Sequence, residues 1–375
     1  MPSLARVQTV APPPPAKAKE AAVLHQFTVR PRRGVPLRPL YAIELAQSVG
    51  ATAFSPDGAA IAIATLGGPV VILEAMTGRP IEILSPHEGG ALSVAFAPDQ
   101  EILATGGQDG KVRLFSWPSL EEIAVFEAGG AWVEHLAWSA HGRYLASAAG
   151  RVARIWTIDG VHRGGFEKHA GTVTSLSWNP NELSVTSASY GGLNQLQVGR
   201  RRPIHQLAFD GPILSLAFSP NRRFIAATTQ DTSIRVWEIK AQKARAYDIP
   251  GYKAKVRTIA WSPDSSLLAT GDYSEIALWD FGPKMRHKDK AKPLNGHVNW
   301  VTSLKFLERA EGPRWLLSAG TDGMICAWQP NRSSKPLWKW LTGVPLEQLA
   351  ISPDESTFLA VGARGYVQAW SLRPN

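Results

Sequence analysis

His297, Ser318 and Asp322 have the residue types of a serine-hydrolase relay, in which a hydroxyl attacks a carbonyl, an imidazole takes its proton and a carboxylate steadies the imidazole. No other reactive pattern accompanies them. There is no phosphate-binding P-loop, no Gly-x-Ser-x-Gly elbow and no His-Glu-x-x-His. A single cysteine, Cys326, excludes an intrachain disulfide and a thiolate zinc site of the usual kind. His135 and His141 flank one strand and its turn, but no third ligand is in view. These residues therefore assign no catalytic group, no cofactor and no metal.

The elements that position the trio are set by an internal repeat. A short apolar run ends in an aromatic or aliphatic residue and then a turn resembling Ser-Pro-Asp. The marker begins at Phe54, Phe96, Trp138, Trp178, Phe218, Trp261, Phe306 and Ile351, with a period of 40–45 residues. After each marker comes a run of small and aliphatic residues such as Ile102–Gly106, then a turn such as Gln108-Asp109-Gly110, then a run such as Val112–Phe115. Alternation of period two, punctuated by Gly, Pro, Asp and Asn, specifies strands and tight turns. Four short strands in about 40 residues make one blade of a β-propeller. The expected fold is all-β, with four-stranded antiparallel blades, eight by the marker count and seven as the alternative.

The chain ends show how such a ring would close. A basic-Pro-aliphatic opening precedes the fourth strand at Arg79-Pro80-Ile81, Arg202-Pro203-Ile204, Lys292-Pro293-Leu294 and Lys335-Pro336-Leu337, and it also occurs at Arg38-Pro39-Leu40, before the first full repeat. The last repeat stops after its third strand, so the segment from Leu40 to Leu45 is expected to supply the missing outer strand and protect two open sheet edges. Residues 38–375 then form the propeller, and residues 1–37 a Pro/basic tail. That tail contains Pro12–Pro15, and residues 1–39 carry +6 of the net charge of +9. The folded body is thus only mildly basic. With no signal-peptide core and no long apolar span, the expected location is cytoplasmic.

These features resemble the WD40 repeat family. Third strands end in Trp156, Trp237, Trp279, Trp328 and Trp370; Trp279-Asp280 is the family's dipeptide and Gly296-His297 its opening pair. The resemblance implies that His297, Ser318, Asp322 and Trp328 form a structural hydrogen-bond set inside one blade, rather than a reactive centre. Other repeats are incomplete. The second keeps His87, Thr105 and Asp109 beside Phe115; the fourth keeps His169 and Ser187, with Tyr190 at the Asp position.

In this family the loops joining fourth to first strands share one face, the top, with those joining second to third strands. The resemblance places Trp132, Lys255, Arg257 and Trp300 at the entries to first strands and Tyr190 and Tyr273 in second-to-third turns. Exposed Trp, Tyr and Arg are typical interface anchors. A second feature is an arc of basic residues expected on the opposite face: Arg200, Arg201, Arg202, Arg222, Arg223, Lys284, Arg286, Lys288, Lys290 and Lys292. The leading expectation is a non-catalytic scaffold that binds one or more proteins through the top face, itself monomeric within a complex. The alternatives are an adaptor that uses the basic arc to meet nucleic acid or another polyanion, and a propeller enzyme or small-ligand binder.

Overall fold

The computed structural model describes residues 25–27, 37–179, 183–240, 243–282, 291–307 and 314–372. The described chain is antiparallel β throughout, apart from one 3-10 turn at Ala363–Gly365. First strands pack against one another in sequence around the axis, and Leu346–Ile351 returns to Val49–Phe54 to complete the circuit.

Burial explains why these segments are strands. The second strands, such as Ala60–Thr65 (AIAIAT) and Thr357–Gly362 (TFLAVG), are buried at every position. Each lies mid-blade with neighbouring blades on both faces, so it reads as a continuous run of small and β-branched residues rather than an alternating one. Outer strands such as Pro80–Leu84 are largely exposed. The Ser-Pro-Asp marker has a physical cause as well. In the first repeat the Ser55 hydroxyl donates to Asp57 (2.5 Å) and accepts the Ala60 N–H (2.9 Å), stitching the turn. The same stitch recurs at Ser219 with Asn221 and Phe224, at Ser262 with Asp264 and Leu267, and at Ser352 with Asp354 and Thr357.

The blade count corrects the expectation of eight. Among the described residues the strands form seven sheets: five of four strands, one of five and one of six. The fourth and fifth repeats share the six-stranded sheet. His205–Phe218 runs on as one 14-residue strand; its first part pairs with Ser184–Gln197 and its second part with Phe224–Thr229. No turn interrupts the chain where the marker spacing separates two repeats: Gly211, which takes φ +154°, and Pro212 both lie within this strand. The alternative count of seven blades is the one the sheets give.

Ring closure follows the basic-Pro signal. Arg38–Glu44 pairs antiparallel with Tyr366–Ser371, from Arg38 opposite Ser371 to Glu44 opposite Tyr366. His25–Phe27 adds a further strand outside it, giving the sheet its fifth member. Otherwise the expected tail, residues 1–37, lies outside the described residues except for Leu37.

The core lies between blades. One cluster joins Tyr41 and Ile43 of the closing strand to Ile61, Ile63, Val71 and Leu73 of the first repeat and to Leu359, Val361 and Val367 of the last. Burying an aliphatic side chain of this kind contributes about 1.5–3 kcal/mol, so the closing strand is held by its packing as much as by its ladder. The Tyr41 ring lies so close to the turn at Gly78 that a Cβ there would sit 2.6 Å from it, and Gly78 also has φ +70°. The Tyr41 hydroxyl is buried and has no hydrogen-bond partner among the described residues; burial raises its pKa.

Two substitutions test this closure. Tyr41→Ala should lower the unfolding free energy by about 3–5 kcal/mol, the usual cost of emptying an aromatic core site. Tyr41→Phe should leave stability unchanged or raise it, because it removes a buried donor that lacks an acceptor. Equal losses for both variants in denaturant melts would show that the ring's packing is not what Tyr41 contributes.

Candidate protein-binding face

The hydrolase-like trio is an internal relay. The Trp328 indole N–H donates to Ser318 Oγ (2.8 Å), Ser318 Oγ lies 2.8 Å from His297 Nε2, and His297 Nδ1 lies 3.0 Å from Asp322 Oδ2. These partners fit an imidazole that donates from Nδ1 and accepts at Nε2, so each member donates to the next. Asp322 also accepts the backbone N–H groups of Val298 (2.8 Å) and Met324 (3.0 Å), which anchors the loop above. Burial alone would raise the Asp322 carboxyl. The bond to His297, the charge interaction with it and the two backbone donors outweigh that and hold the carboxyl below the usual range. Ser318 and the His297 side chain are fully buried, and the serine oxygen already accepts an indole proton. A substrate carbonyl has no approach, so the set carries structure, not acyl transfer. Cys326, on the adjoining strand, is buried and its thiol is pushed up to about 12.

The incomplete repeats keep parts of this relay. His87 Nε2 lies 2.8 Å from Thr105 Oγ1, and His87 Nδ1 lies 2.8 Å from Asp109. His169 Nε2 lies 2.7 Å from Ser187. Trp156 donates to Ser147 (2.8 Å). The sixth repeat carries a version without histidine, which the sequence motif does not reveal: the Trp279 indole donates to Tyr252 Oη (2.8 Å), which lies 3.0 Å from Thr270 Oγ1. Its signal is one of position. His87, His169, Tyr252 and His297 all stand nine residues before their markers.

His135 and His141 do not converge on a metal site. His135 lies in the inner strand Val133–Trp138, while His141 faces Asp99 at 3.3 Å. Among the described residues no three metal-ligating side chains come together.

Backbone hydrogen bonds bring two sets of loops onto one face. In repeat after repeat, the residue six before the marker accepts an N–H from the turn between second and third strands. The pairs are Leu66 to Ser48 (2.8 Å), Gln108 to Gly90 (3.1 Å), Gln230 to Pro212 (3.2 Å) and Thr321 to Trp300 (2.8 Å). On this face Arg257, Tyr273 and Trp300 form one cluster. The guanidinium carbon lies 4.3 Å from the Trp300 ring centroid, within cation–π range, and Tyr273 meets Trp300 edge-on at 5.4 Å. Arg257 and Tyr273 are exposed and Trp300 is half-buried. Lys255 donates to Gln230 Oε1 (2.8 Å), bridging towards the fifth repeat. Trp132 (54% exposed) and Tyr190 (50% exposed) stand elsewhere on the loops and join no such cluster among the described residues. Val298 (70% exposed) and Leu66 add apolar surface outside the entry positions that the sequence singles out.

Two members of the basic arc are engaged by neighbours. Arg223 is tied to the buried Glu238 (2.7 Å) and lies over Phe224, and Lys292 donates to the Pro330 carbonyl (2.6 Å). Lys284, Arg286, Lys288 and Lys290 lie outside the described residues. Arg200, Arg201, Arg202 and Arg222 are exposed.

Comparison with known proteins agrees with this architecture. The profile of the WD40 family (WD domain, G-beta repeat) matches residues 78–116, 120–157, 160–193, 201–238, 244–280 and 288–329. Apoptotic protease-activating factor 1 of Rattus norvegicus is 24% identical over 312 residues, covering 78% of this chain and 24% of that protein. The guanine nucleotide-binding protein subunit beta of Solanum tuberosum is 23% identical over 244 residues, covering 60% and 65%. The chain spans only about a quarter of the first curated relatives it matches. Among solved structures, Sqt1 of Chaetomium thermophilum bound to the N-terminus of the ribosomal protein L10 superposes with a TM-score of 0.75 at 18% identity, covering 87% of this chain and 97% of that one.

The relays set a pH dependence. Burial, partly offset by their hydrogen bonds, lowers the pKa of His87 and His169. The unfolded chain therefore binds more protons than the folded one below the unperturbed value of about 6.5, and stability falls as pH drops through it. The melting temperature should decline from pH 7.5 to 5.5, and a His87→Gln, His169→Gln variant should show a shallower decline. A parallel profile in that variant would show that other groups carry the dependence.

Proposed function

This chain belongs to the WD40 family, and from that premise we propose that it is a non-catalytic adaptor whose protein partner sits on the face built from the entry loops and the second-to-third turns. The propeller is the typical scaffold of its family for protein interaction. The observation that carries the choice of face is the Arg257–Tyr273–Trp300 cluster, in which a cation lies over one aromatic ring, a second ring meets that one edge-on, and the group still meets solvent. Side chains already packed on one another lose little freedom when a partner covers them, and buried Trp, Tyr and Arg dominate binding energy at interfaces. Trp132, Tyr190 and Lys255 extend the same reading around the ring. The solved Sqt1 complex supports it in kind, since a similar propeller there holds a protein's N-terminal segment.

The test is a paired affinity purification from source cells, quantified by mass spectrometry, with Trp132→Ala plus Trp300→Ala against wild type. The reading expects a partner bound to wild type to fall by about tenfold or more, as loss of an anchor worth about 2 kcal/mol implies, with an unchanged melting temperature. A folded double variant that retains every partner would remove this face from consideration.

A further inference from the structure

A concave groove lies where the outer strand of the third repeat meets the fourth repeat. It encloses about 700 Å³ between His162–Phe166 with the following Glu167 and Lys168 on one side and Arg201, Arg202, Pro203 and Gln206 on the other. Its walls are fixed by backbone. Gly165 N–H donates to the Arg200 carbonyl (3.1 Å), and Gly199 N–H donates to the Arg163 carbonyl. A Cβ on Gly164 would lie 2.5 Å from the Arg200 oxygen at φ +134°, so only glycine permits this approach. The groove therefore exists before anything enters it.

Its charge is one-sided. Arg201, Arg202 and Lys168 are exposed along the lining, with His162 beside them. The one acid among these lining residues, Glu167, is held by Arg154 through Nη2 (2.8 Å) and Nε (3.1 Å). A concave, low-dielectric surface lined by one sign of charge focuses its field. Burial, then the nearby charge of Arg154 and, more weakly, of Arg201 lower the pKa of His162.

We infer that this groove binds a short acidic segment of a partner protein, its carboxylates meeting Arg201, Arg202 and Lys168 and its apolar side chains meeting Phe166 and Pro203. A peptide fits better than nucleic acid for two reasons. The apolar lining has no counterpart on a phosphate backbone. Phe166 is half-buried with its ring against His169 (4.9 Å), so it offers no open stacking platform. The site is separate from the Arg257–Trp300 cluster and does not rest on the function proposed above.

The test uses the full chain and a short fluorescein-labelled peptide of alternating Glu and Leu, read by fluorescence anisotropy, with its Gln/Leu counterpart and a single-stranded oligo(dT) as comparisons. The Glu peptide should bind and the Gln peptide should bind at least about tenfold more weakly, as loss of charge-assisted hydrogen bonds implies. Arg201→Glu plus Arg202→Glu should weaken the Glu peptide by a similar factor, and Lys168→Glu provides a second variant should the first fail to fold. Charge reversal at the exposed Arg332 and Lys335, which changes net charge equally but lies on another blade, should leave binding within about twofold. Equal binding of the two peptides, equal losses for the groove and control variants, or displacement of the Glu peptide by oligo(dT) at lower concentration than by the unlabelled Glu peptide would overturn the inference.

Discussion

The structure depends on the burial of strands between neighbouring blades. A single blade cannot cover its own faces: Ala60–Thr65 is buried at all six positions, and only the flanking sheets can bury it. Stability in such an array is a sum of neighbour interfaces, so an open ring would leave two apolar faces in water. The closing strand Arg38–Glu44 removes that penalty by pairing with Tyr366–Ser371 while Tyr41 and Ile43 pack into the first repeat. The described loops of the entry face are mounted on this closed stack.

The relays are the second layer of the same arrangement. In the seventh repeat a carboxylate at the loop, an imidazole, a hydroxyl and an indole link the top turn to the buried third strand. Asp322 fixes the Val298 N–H, two residues from Trp300, while the Trp300 carbonyl accepts from Thr321. The aromatic cluster on the loop face is therefore mounted on a buried polar network, which fixes the loop that carries Trp300.

Much of this is legible in the sequence because local chemistry writes it there. The Ser-Pro-Asp stitch, the basic-Pro opening at Arg38 and the His297–Asp322 spacing each reflect a bond made nearby or in register. Features that depend on what lies across a boundary are not legible. The marker spacing cannot show that His205–Phe218 runs unbroken from one repeat to the next, so eight markers become seven sheets. Charge counting cannot show that Glu238, fifteen residues on, neutralises Arg223. Nor does a search for histidine find Tyr252, whose hydroxyl does the same work from the same position. The groove at Arg201 and Lys168 is of this kind as well, since its walls come from two repeats brought together by glycine backbone.

Native-state hydrogen exchange of the closing strand tests the interdependence of the ring most directly. If the ring is one interdependent stack, the ladder amides of Arg38–Glu44 should exchange only with those of Tyr366–Ser371 and of the fully buried Thr357–Gly362, at the free energy of global unfolding. If Arg38–Glu44 instead exchanges at a much lower free energy while the other strands stay protected, the propeller holds itself together without its closing strand, and dependence of the stack on closure is contradicted.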